Sequence, residues 1–312
     1  MDIRDHRGLK SAAANALAWT SSDPKKLILI HNGVSVAIAI ILSLVDLLLS
    51  RQIDSTGGLG GIGMRSALET AQTVLMIAQV VVLLFWQIGY VYVAMKIARQ
   101  EEVSAGSLLQ GFRKFRPVLS LRLITMMMYG GAMFLSVYAA SLLFSLTPWS
   151  APLQEAINVG TEEAIMAAAE SCIVPLAAIF TVAAAILVLP MYYKLRMAEY
   201  TLLDAPEQGA RVAIMKSRIL MHGNRLKLFR LDLSFWWFYG LEALISAVAY
   251  GDVLLPMLGV ELPWSATVSF YVFLLLCYAG QMALYWWRGN EVYVTYAMAY
   301  EALVPKAQPE EE

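Results

Sequence analysis

The chain has 312 residues, of which 59% are hydrophobic and only 15% are charged, and its net charge is −1. Soluble domains usually carry about 25% charged residues. Apolar runs of about 20 residues recur along this chain, which is typical of transmembrane helices. These features exclude a soluble enzyme, a secreted disulfide scaffold, a disordered protein and a nucleic-acid binder. They predict a polytopic, all-α integral membrane protein.

Hydropathy divides the sequence into three parts. Residues 1–26 are polar and form a predicted cytoplasmic segment, residues 27–303 form a six-helix transmembrane domain, and residues 304–312 form an acidic tail that we expect to be disordered. Near the N-terminus there is no short apolar stretch with a small-residue cleavage site, so we expect no signal peptide. The six predicted spans are Leu27–Leu49, Thr70–Ala94, Val118–Leu146, Cys172–Tyr193, Leu231–Leu255 and Ser265–Trp287.

Basic residues predict the orientation of these spans. Residues 1–26 hold five Lys or Arg, residues 96–122 hold six, residues 194–230 hold eight, and two more follow the last span. Only Arg51 and Arg65 fall in the alternate loops. Cytoplasmic loops are enriched in Lys and Arg, so we expect both termini to be cytoplasmic.

Two cytoplasmic stretches are predicted to be amphipathic helices in the membrane interface. In Asp204–His222, Asp204 is the expected cap and Pro206 suits the first turn. Its apolar face is predicted to be Val212, Met215, Ile219 and Leu220, and Gly223-Asn224 ends it. The stretch Ser104–Phe115 repeats the plan, with Ser104 as the expected cap and basic residues at its end.

One segment resembles a known family pattern. It runs from Pro190-Met191-Tyr192-Tyr193 through Ala198-Glu199-Tyr200 to Ser217–Phe235, and is most specific over Leu220–Phe235, LMHGNRLKLFRLDLSF. It resembles the bacterial integral-membrane family catalogued as domain of unknown function 975, although Met191 stands where that family commonly has glycine. Gly106 and Gly111-Phe112 extend the resemblance. It implies a six-helix inner-membrane protein, distantly similar to the membrane domain of some glycerophosphodiesterases, and it implies no reaction.

Polar side chains inside the predicted spans are the first candidate site. Glu242 lies 11 positions after Leu231, which places it roughly 16 Å along the fifth predicted helix and near the membrane midplane. An ionisable group at that depth is costly and is by default a functional hypothesis. The plainer interpretation is a neutral carboxyl hydrogen-bonded to Gln281 or Tyr278. The intramembrane polar candidates are Glu242, Gln79, Gln87, Gln281 and His31.

The second candidate is a cluster of basic residues around the predicted interfacial helix. Clusters of this kind attract anionic lipid headgroups at about 1 kcal/mol per charge. The plainer interpretation is ordinary enrichment of cytoplasmic loops in positive charge. Glu199 and Asp232 are the acidic side chains that could pair with the cluster. The anionic-lipid candidates are Lys216, Arg218, Asn224, Arg225, Lys227 and Arg230.

Three functions remain open from the sequence. The favoured one is a non-enzymatic accessory or lipid-interacting envelope protein whose partners are the bilayer and anionic headgroups, with no nucleic acid. The alternative is a small-solute or ion transporter using the intramembrane polar residues. A lipid-directed enzyme would need clustered acids or histidines at the interface, and no catalytic residue, cofactor or metal site is predicted because no motif for one occurs.

Overall fold

The structure is a computed structural model that describes residues 3–20, 23–55, 62–251, 255, 260 and 266–305. Its described elements are helices and turns. The predicted acidic tail beyond residue 305 and the first residue of the sixth predicted span lie outside the described residues. By contacts between residues the chain forms two compact units, one of residues 1–115 and 230–312 and one of residues 116–229.

The all-α prediction is confirmed for the described residues. The helices are, in chain order, α1 (His6–Trp19), α2 (Pro24–Ser55), α3 (Ile62–Ala98), α4 (Gln110–Arg113), α5 (Phe115–Ser145), α6 (Ala151–Val159), α7 (Glu162–Leu195), α8 (Ala198–Asp204), α9 (Gly209–Leu220), α10 (Arg225–Leu233), α11 (Trp236–Val248), α12 (Ala266–Leu284) and α13 (Asn290–Leu303). A π-helical turn, Tyr285–Gly289, joins α12 to α13.

Five of the described helical segments are long and apolar enough to cross a membrane. They correspond to the first, second, third, fourth and sixth predicted spans and extend beyond them at most ends. The segments are Pro24–Ile53, Gly63–Ala98, Phe115–Ser145, Glu162–Asp204 and Val268–Leu303. A multi-pass membrane protein follows from them, because a hydrocarbon core of about 30 Å needs about 20 helical residues.

The fifth predicted span, Leu231–Leu255, is not one continuous helix. It is divided into α10 and α11 at Ser234-Phe235, and α11 has only 13 residues. The Ser234 hydroxyl donates to the Leu231 carbonyl at 2.6 Å, and serine bonding back to the helix in this way competes with the regular backbone pattern. The depth predicted for Glu242 assumed one continuous helix from Leu231, so the rise of roughly 16 Å no longer follows from the sequence.

Within the first unit, helix α1 contacts the junction between α10 and α11 and stabilises it. Asp5 caps α1 by accepting from the Gly8 amide at 2.8 Å, and one face of α1 packs against α13. Lys10 on α1 donates to the Ser234 carbonyl at 2.9 Å, and its ammonium lies 3.8 Å from the centre of the Phe235 ring. Burial lowers the pKa of Lys10, and the Glu291 carboxylate opposes that effect. The polar segment expected at residues 1–26 thus contains a helix packed on the membrane domain.

Two glycines allow a close contact between α3 and the segment that follows it. A Cβ on Gly89 would lie 1.8 Å from the Leu108 carbonyl oxygen, and one on Gly111 would lie 2.0 Å from the Phe85 carbonyl oxygen. The stretch predicted as the first amphipathic helix is instead a 3₁₀ turn, Ala105–Leu109, followed by the one-turn α4. Its backbone rests directly on α3 because both contact points lack side chains.

The second predicted interfacial helix is shorter than expected. Asp204 is the last residue of α8, so its predicted role as a cap is wrong. Pro206 lies in a 3₁₀ turn, and α9 begins at Gly209, which has a φ of +77°. The helix ends at Leu220 and is followed by Gly223 with φ +74°, a conformation that favours glycine.

Side-chain hydrogen bonds to backbone carbonyls hold α9 in the second unit. The Thr201 hydroxyl on α8 donates to the Ala213 carbonyl at 3.0 Å, and the Ser217 hydroxyl donates to the Lys194 carbonyl at 2.9 Å. The buried face of α9 consists of Ala210, Ala213, Ile214 and Ser217. Small residues on this face allow α9 to lie close against α8 and the end of α7.

Candidate functional site

The basic segment, residues 216–230, comprises the end of α9, the turn at residues 221–224 and most of α10. Asn224 organises the turn, because its amide nitrogen donates to the Leu220 carbonyl at 2.9 Å and caps the end of α9. The Lys227 ammonium donates to the Asn224 side-chain oxygen at 2.6 Å. Asn224 is thus a structural residue of the turn, and it also positions one of the predicted lipid-binding cations.

The five cations of the basic segment have no ion-pair partner among the described residues. Lys216, Arg218 and Arg230 are exposed. Arg218 extends to the Met128 sulfur on α5, 3.7 Å away. The Nε atom of Arg225 is buried, and it has no hydrogen-bond partner within the described part of the chain. The positive charge of the segment is therefore available to an anion from outside the protein.

Helix α9 presents an apolar stripe away from the protein. Met215 is 55% exposed and Ile219 is 65% exposed, and Val212 lies one turn earlier on the same side. These residues were predicted as the apolar face, and the structure places them opposite the buried face of α9. At about 100° per residue, Lys216 borders the stripe on one side and Arg218 on the other. An apolar stripe flanked by cations is the arrangement of a helix lying in a membrane interface.

The acids predicted to neutralise the segment have other partners. Glu199 pairs with Arg122 on α5, with an Nη1–Oε1 distance of 2.8 Å. Asp232, in the first unit, accepts a hydrogen bond from the Tyr296 hydroxyl, which is also 2.7 Å from the Tyr239 hydroxyl. From the sequence, Arg122 was only one of the six basic residues of the predicted cytoplasmic stretch 96–122. Its position seven residues into an apolar helix was the signal that it needs a partner.

Arg122 retains two unused donors. Its Nε and Nη2 atoms are buried and have no hydrogen-bond partner in the described residues, while Nη1 is engaged by Glu199. The guanidinium of Arg196 lies 5.1 Å from the centre of the Tyr192 ring in the same unit. The second unit thus contains a further cation in addition to this pair and the basic segment.

Glu242 accepts a hydrogen bond from the Tyr285 hydroxyl at 2.5 Å. The predicted partners were Gln281 and Tyr278, and that prediction is wrong for the described residues. Gln281 donates instead to the Ser246 hydroxyl at 3.4 Å. Both pairs join α11 to the last membrane-capable segment, so each ties the short helix α11 to a longer neighbour.

A second polar group lies between α2 and α3. The Gln72 amide donates to the Asp46 carboxylate at 2.6 Å, and both line a cavity of about 380 Å³ together with Gln79. Gln87, the other glutamine candidate on α3, is exposed. Gln79 therefore lies together with Asp46 and Gln72, whereas Glu242 and Gln281 each have a different partner.

His31 is buried inside the first unit. Its ring stacks on Trp86 with 5.4 Å between ring centres and lies 4.9 Å from Tyr90. The Trp86 indole donates to the His31 carbonyl at 2.8 Å, and the Tyr90 hydroxyl donates to Asn290. Nδ1 of His31 has no hydrogen-bond partner among the described residues. The surroundings are aromatic, which suits a packing role.

Comparison with protein families identifies the family of the chain. A family model described as "Protein of unknown function (DUF975)" matches residues 4–300, which is nearly the whole chain. No curated protein and no solved structure matches the chain significantly. The likeness to the membrane domain of glycerophosphodiesterases therefore remains a prediction.

Proposed function

The chain belongs to the family of proteins of unknown function DUF975, and we propose that it is a non-enzymatic protein of the bacterial inner membrane that binds anionic lipid headgroups through its basic segment. The observation that carries this proposal is the exposed apolar stripe of α9, bordered by Lys216 and Arg218. An interfacial helix inserts such a stripe beneath the headgroups and leaves its cations at headgroup level.

The proposed topology has six crossings with both termini in the cytoplasm. Five crossings correspond to the long apolar segments, and the remaining one begins at α11. Six crossings place the four basic stretches of the sequence on one side, in agreement with the enrichment of cytoplasmic loops in Lys and Arg. The same topology places α9, and with it the basic segment, at the inner leaflet, where anionic lipids are concentrated.

Cysteine labelling tests the topology. In a background lacking Cys172 and Cys277, we expect a cysteine at Thr161 to react with an impermeant reagent added to intact cells. Cysteines at Ser107 and Gln208 should react only after the cells are opened. Labelling of Gln208 in intact cells would overturn the six-crossing topology, because the basic residues that follow it would then be external.

Replacing Lys216, Arg218 and Arg225 with glutamine tests the lipid site. Each cation near an anionic surface contributes about 1 kcal/mol, so we expect retention of anionic lipid to fall by up to roughly 3 kcal/mol at low salt if the contributions add. Native mass spectrometry of the purified protein measures the retained lipid. Retention of neutral lipid should barely change.

The matched control replaces another three exposed cations, Arg113, Lys114 and Arg116. They follow the 3₁₀ turn after α3 and are not part of the basic segment. If this control loses as much anionic lipid as the α9 variant, general positive charge explains the binding and the proposed site is wrong.

The transporter alternative rests on a different observation, the cavity between α2 and α3 that contains Asp46, Gln72 and Gln79. A transport path would also have to include Glu242 and Gln281 as predicted, but these two engage Tyr285 and Ser246 instead. The geometry of the described residues therefore gives more support to lipid binding.

A further inference from the structure

A groove runs along α5 and α7 in the second unit. Its residues are separated from the basic segment in the sequence, and the charge around it differs from that of the basic segment. It consists of two cavities of about 400 Å³ and about 510 Å³ that share Ser141, Ile173 and Leu176 as lining residues. The first is apolar and extends to Phe180, and the second extends to Ala169 and to the short helix α6. The shared residues make the two cavities one continuous groove.

The length of the groove matches one leaflet of a bilayer. From Ala169 to Phe180, α7 rises by roughly 16 Å at about 1.5 Å per residue. Half of a hydrocarbon core of about 30 Å is roughly 15 Å. Both helices lie in segments long and apolar enough to span a membrane, so the groove faces the acyl-chain region.

The volume of the groove fits acyl chains better than a helix. A helix is about 10–12 Å across, so 11 residues of a partner helix would fill roughly 1,300 Å³. The two cavities together are smaller than that. The groove is lined by the small residues Ala140 and Ala177 and by larger apolar side chains such as Ile173 and Phe180.

One end of the groove is polar. Ser145, Ser150 and Gln154 line the second cavity, and the Gln154 amide nitrogen donates to the Ser150 hydroxyl at 3.3 Å. The Gln154 side chain is exposed, and its carbonyl oxygen is an acceptor that this hydrogen bond does not use. A headgroup with a hydrogen-bond donor would therefore find an acceptor where its acyl chain enters the groove.

The charge around this end selects the headgroup. The exposed carboxylates are Glu155, Glu162, Glu163 and Glu170. The sequence contains no Lys or Arg between Arg122 and Lys194. This charge repels an anionic headgroup and attracts an ammonium, which is the opposite of the basic segment.

We propose that the groove between α5 and α7 holds the acyl chain of a phospholipid with an amine headgroup, whose ammonium lies near Gln154 and the α6–α7 carboxylates. The site goes beyond the proposed function, because it differs from the basic segment in position, in charge and in the lipid it selects. It also does not depend on which side of the membrane α6 occupies.

The experiment uses the full chain reconstituted in vesicles of equimolar phosphatidylethanolamine and phosphatidylglycerol, extracted in mild detergent and examined by native mass spectrometry. Ala177→Phe and Ser141→Phe each fill the groove from an exposed position. We expect each to lower retained phosphatidylethanolamine about tenfold, which corresponds to about 1.4 kcal/mol. Ala178→Phe is the matched control, because Ala178 is exposed and lines neither cavity, and it should retain the lipid.

The outcomes separate the two lipid sites. The glutamine variant of Lys216, Arg218 and Arg225 should keep phosphatidylethanolamine, whatever happens to its anionic lipid. Equal retention of phosphatidylethanolamine by Ala177→Phe, Ser141→Phe and Ala178→Phe would overturn the groove proposal. If the glutamine variant retained as much phosphatidylglycerol as phosphatidylethanolamine, the groove would not select an amine headgroup and the proposal would also be wrong. The proposal would be wrong as well if the protein formed a dimer that the groove-filling variants dissociate, because a second copy would then occupy the groove.

Discussion

Replacing Gly89 with alanine is expected to destabilise the protein by about 3 kcal/mol or more, because overpacking at a close contact costs about 1–3 kcal/mol and more where backbone must move. The new Cβ would lie 1.8 Å from the Leu108 carbonyl oxygen and 2.6 Å from its carbonyl carbon. No side-chain rotation relieves a clash with backbone, so α3 and the 3₁₀ turn must separate. Thermal unfolding of the detergent-solubilised protein measures the effect.

Gly33→Ala on α2 is the control for Gly89→Ala. Gly33 also lies in an apolar helix of the first unit, and a Cβ there would meet no atom within 4 Å. Alanine is favoured over glycine in a helix by up to about 1 kcal/mol, so this variant should be as stable as the parent or slightly more stable. If the two variants unfold at the same temperature, the close contact between α3 and Leu108 does not exist as described.

The apolar helices could be predicted from sequence because hydropathy and length act locally. The first predicted span, Leu27–Leu49, lies within the observed Pro24–Ile53, and the second lies within Gly63–Ala98. The ends differ because helices continue past the hydrocarbon region, where hydropathy no longer marks them. Glycine at position 223 likewise predicted a chain turn, since its positive φ is a local requirement.

Features that depend on tertiary contacts could not be predicted. The division at Ser234-Phe235 is secured by Lys10, which is more than 200 residues away in the sequence. The partner of Glu242 is Tyr285 because α11 is short and packs against the last membrane-capable segment in one register. Neither relation leaves a periodic signal in the local sequence.

The segment that resembles the family pattern is explained largely by local geometry. Gly223 supplies the positive φ of the turn, and Asn224 caps α9. Leu228 is fully buried, and Ser234-Phe235 forms the division between α10 and α11. These residue types specify a turn, a cap and a break between helices. The pattern therefore identifies a fold element, and the basic residues interspersed in it, Arg225, Lys227 and Arg230, are among those of the proposed lipid site.

The pair of Arg122 and Glu199 offers a second test of the fold with a large expected effect. Their side chains are only 20% and 29% exposed, and two further donors of Arg122 already lack partners in the described residues. Removing one member of a fully buried ion pair costs about 3–5 kcal/mol, because the other charge remains desolvated. Since this pair is partly exposed, we expect Glu199→Gln to lower the free energy of unfolding by about 2–3 kcal/mol.

Two further variants determine whether burial is the cause of that loss. Arg65 and Glu69 form an ion pair with side chains 61% and 54% exposed. Glu69→Gln should therefore change the free energy of unfolding by less than about 0.5 kcal/mol, as is usual for exposed pairs.

Combining Glu199→Gln with Arg122→Met removes the desolvated charge as well as its partner. The double variant should therefore recover much of the stability lost in Glu199→Gln, because a buried pair replaced by apolar groups is often no less stable. A double variant less stable than Glu199→Gln would mean that Arg122 is held by contacts other than its charge, and the desolvation argument would fail.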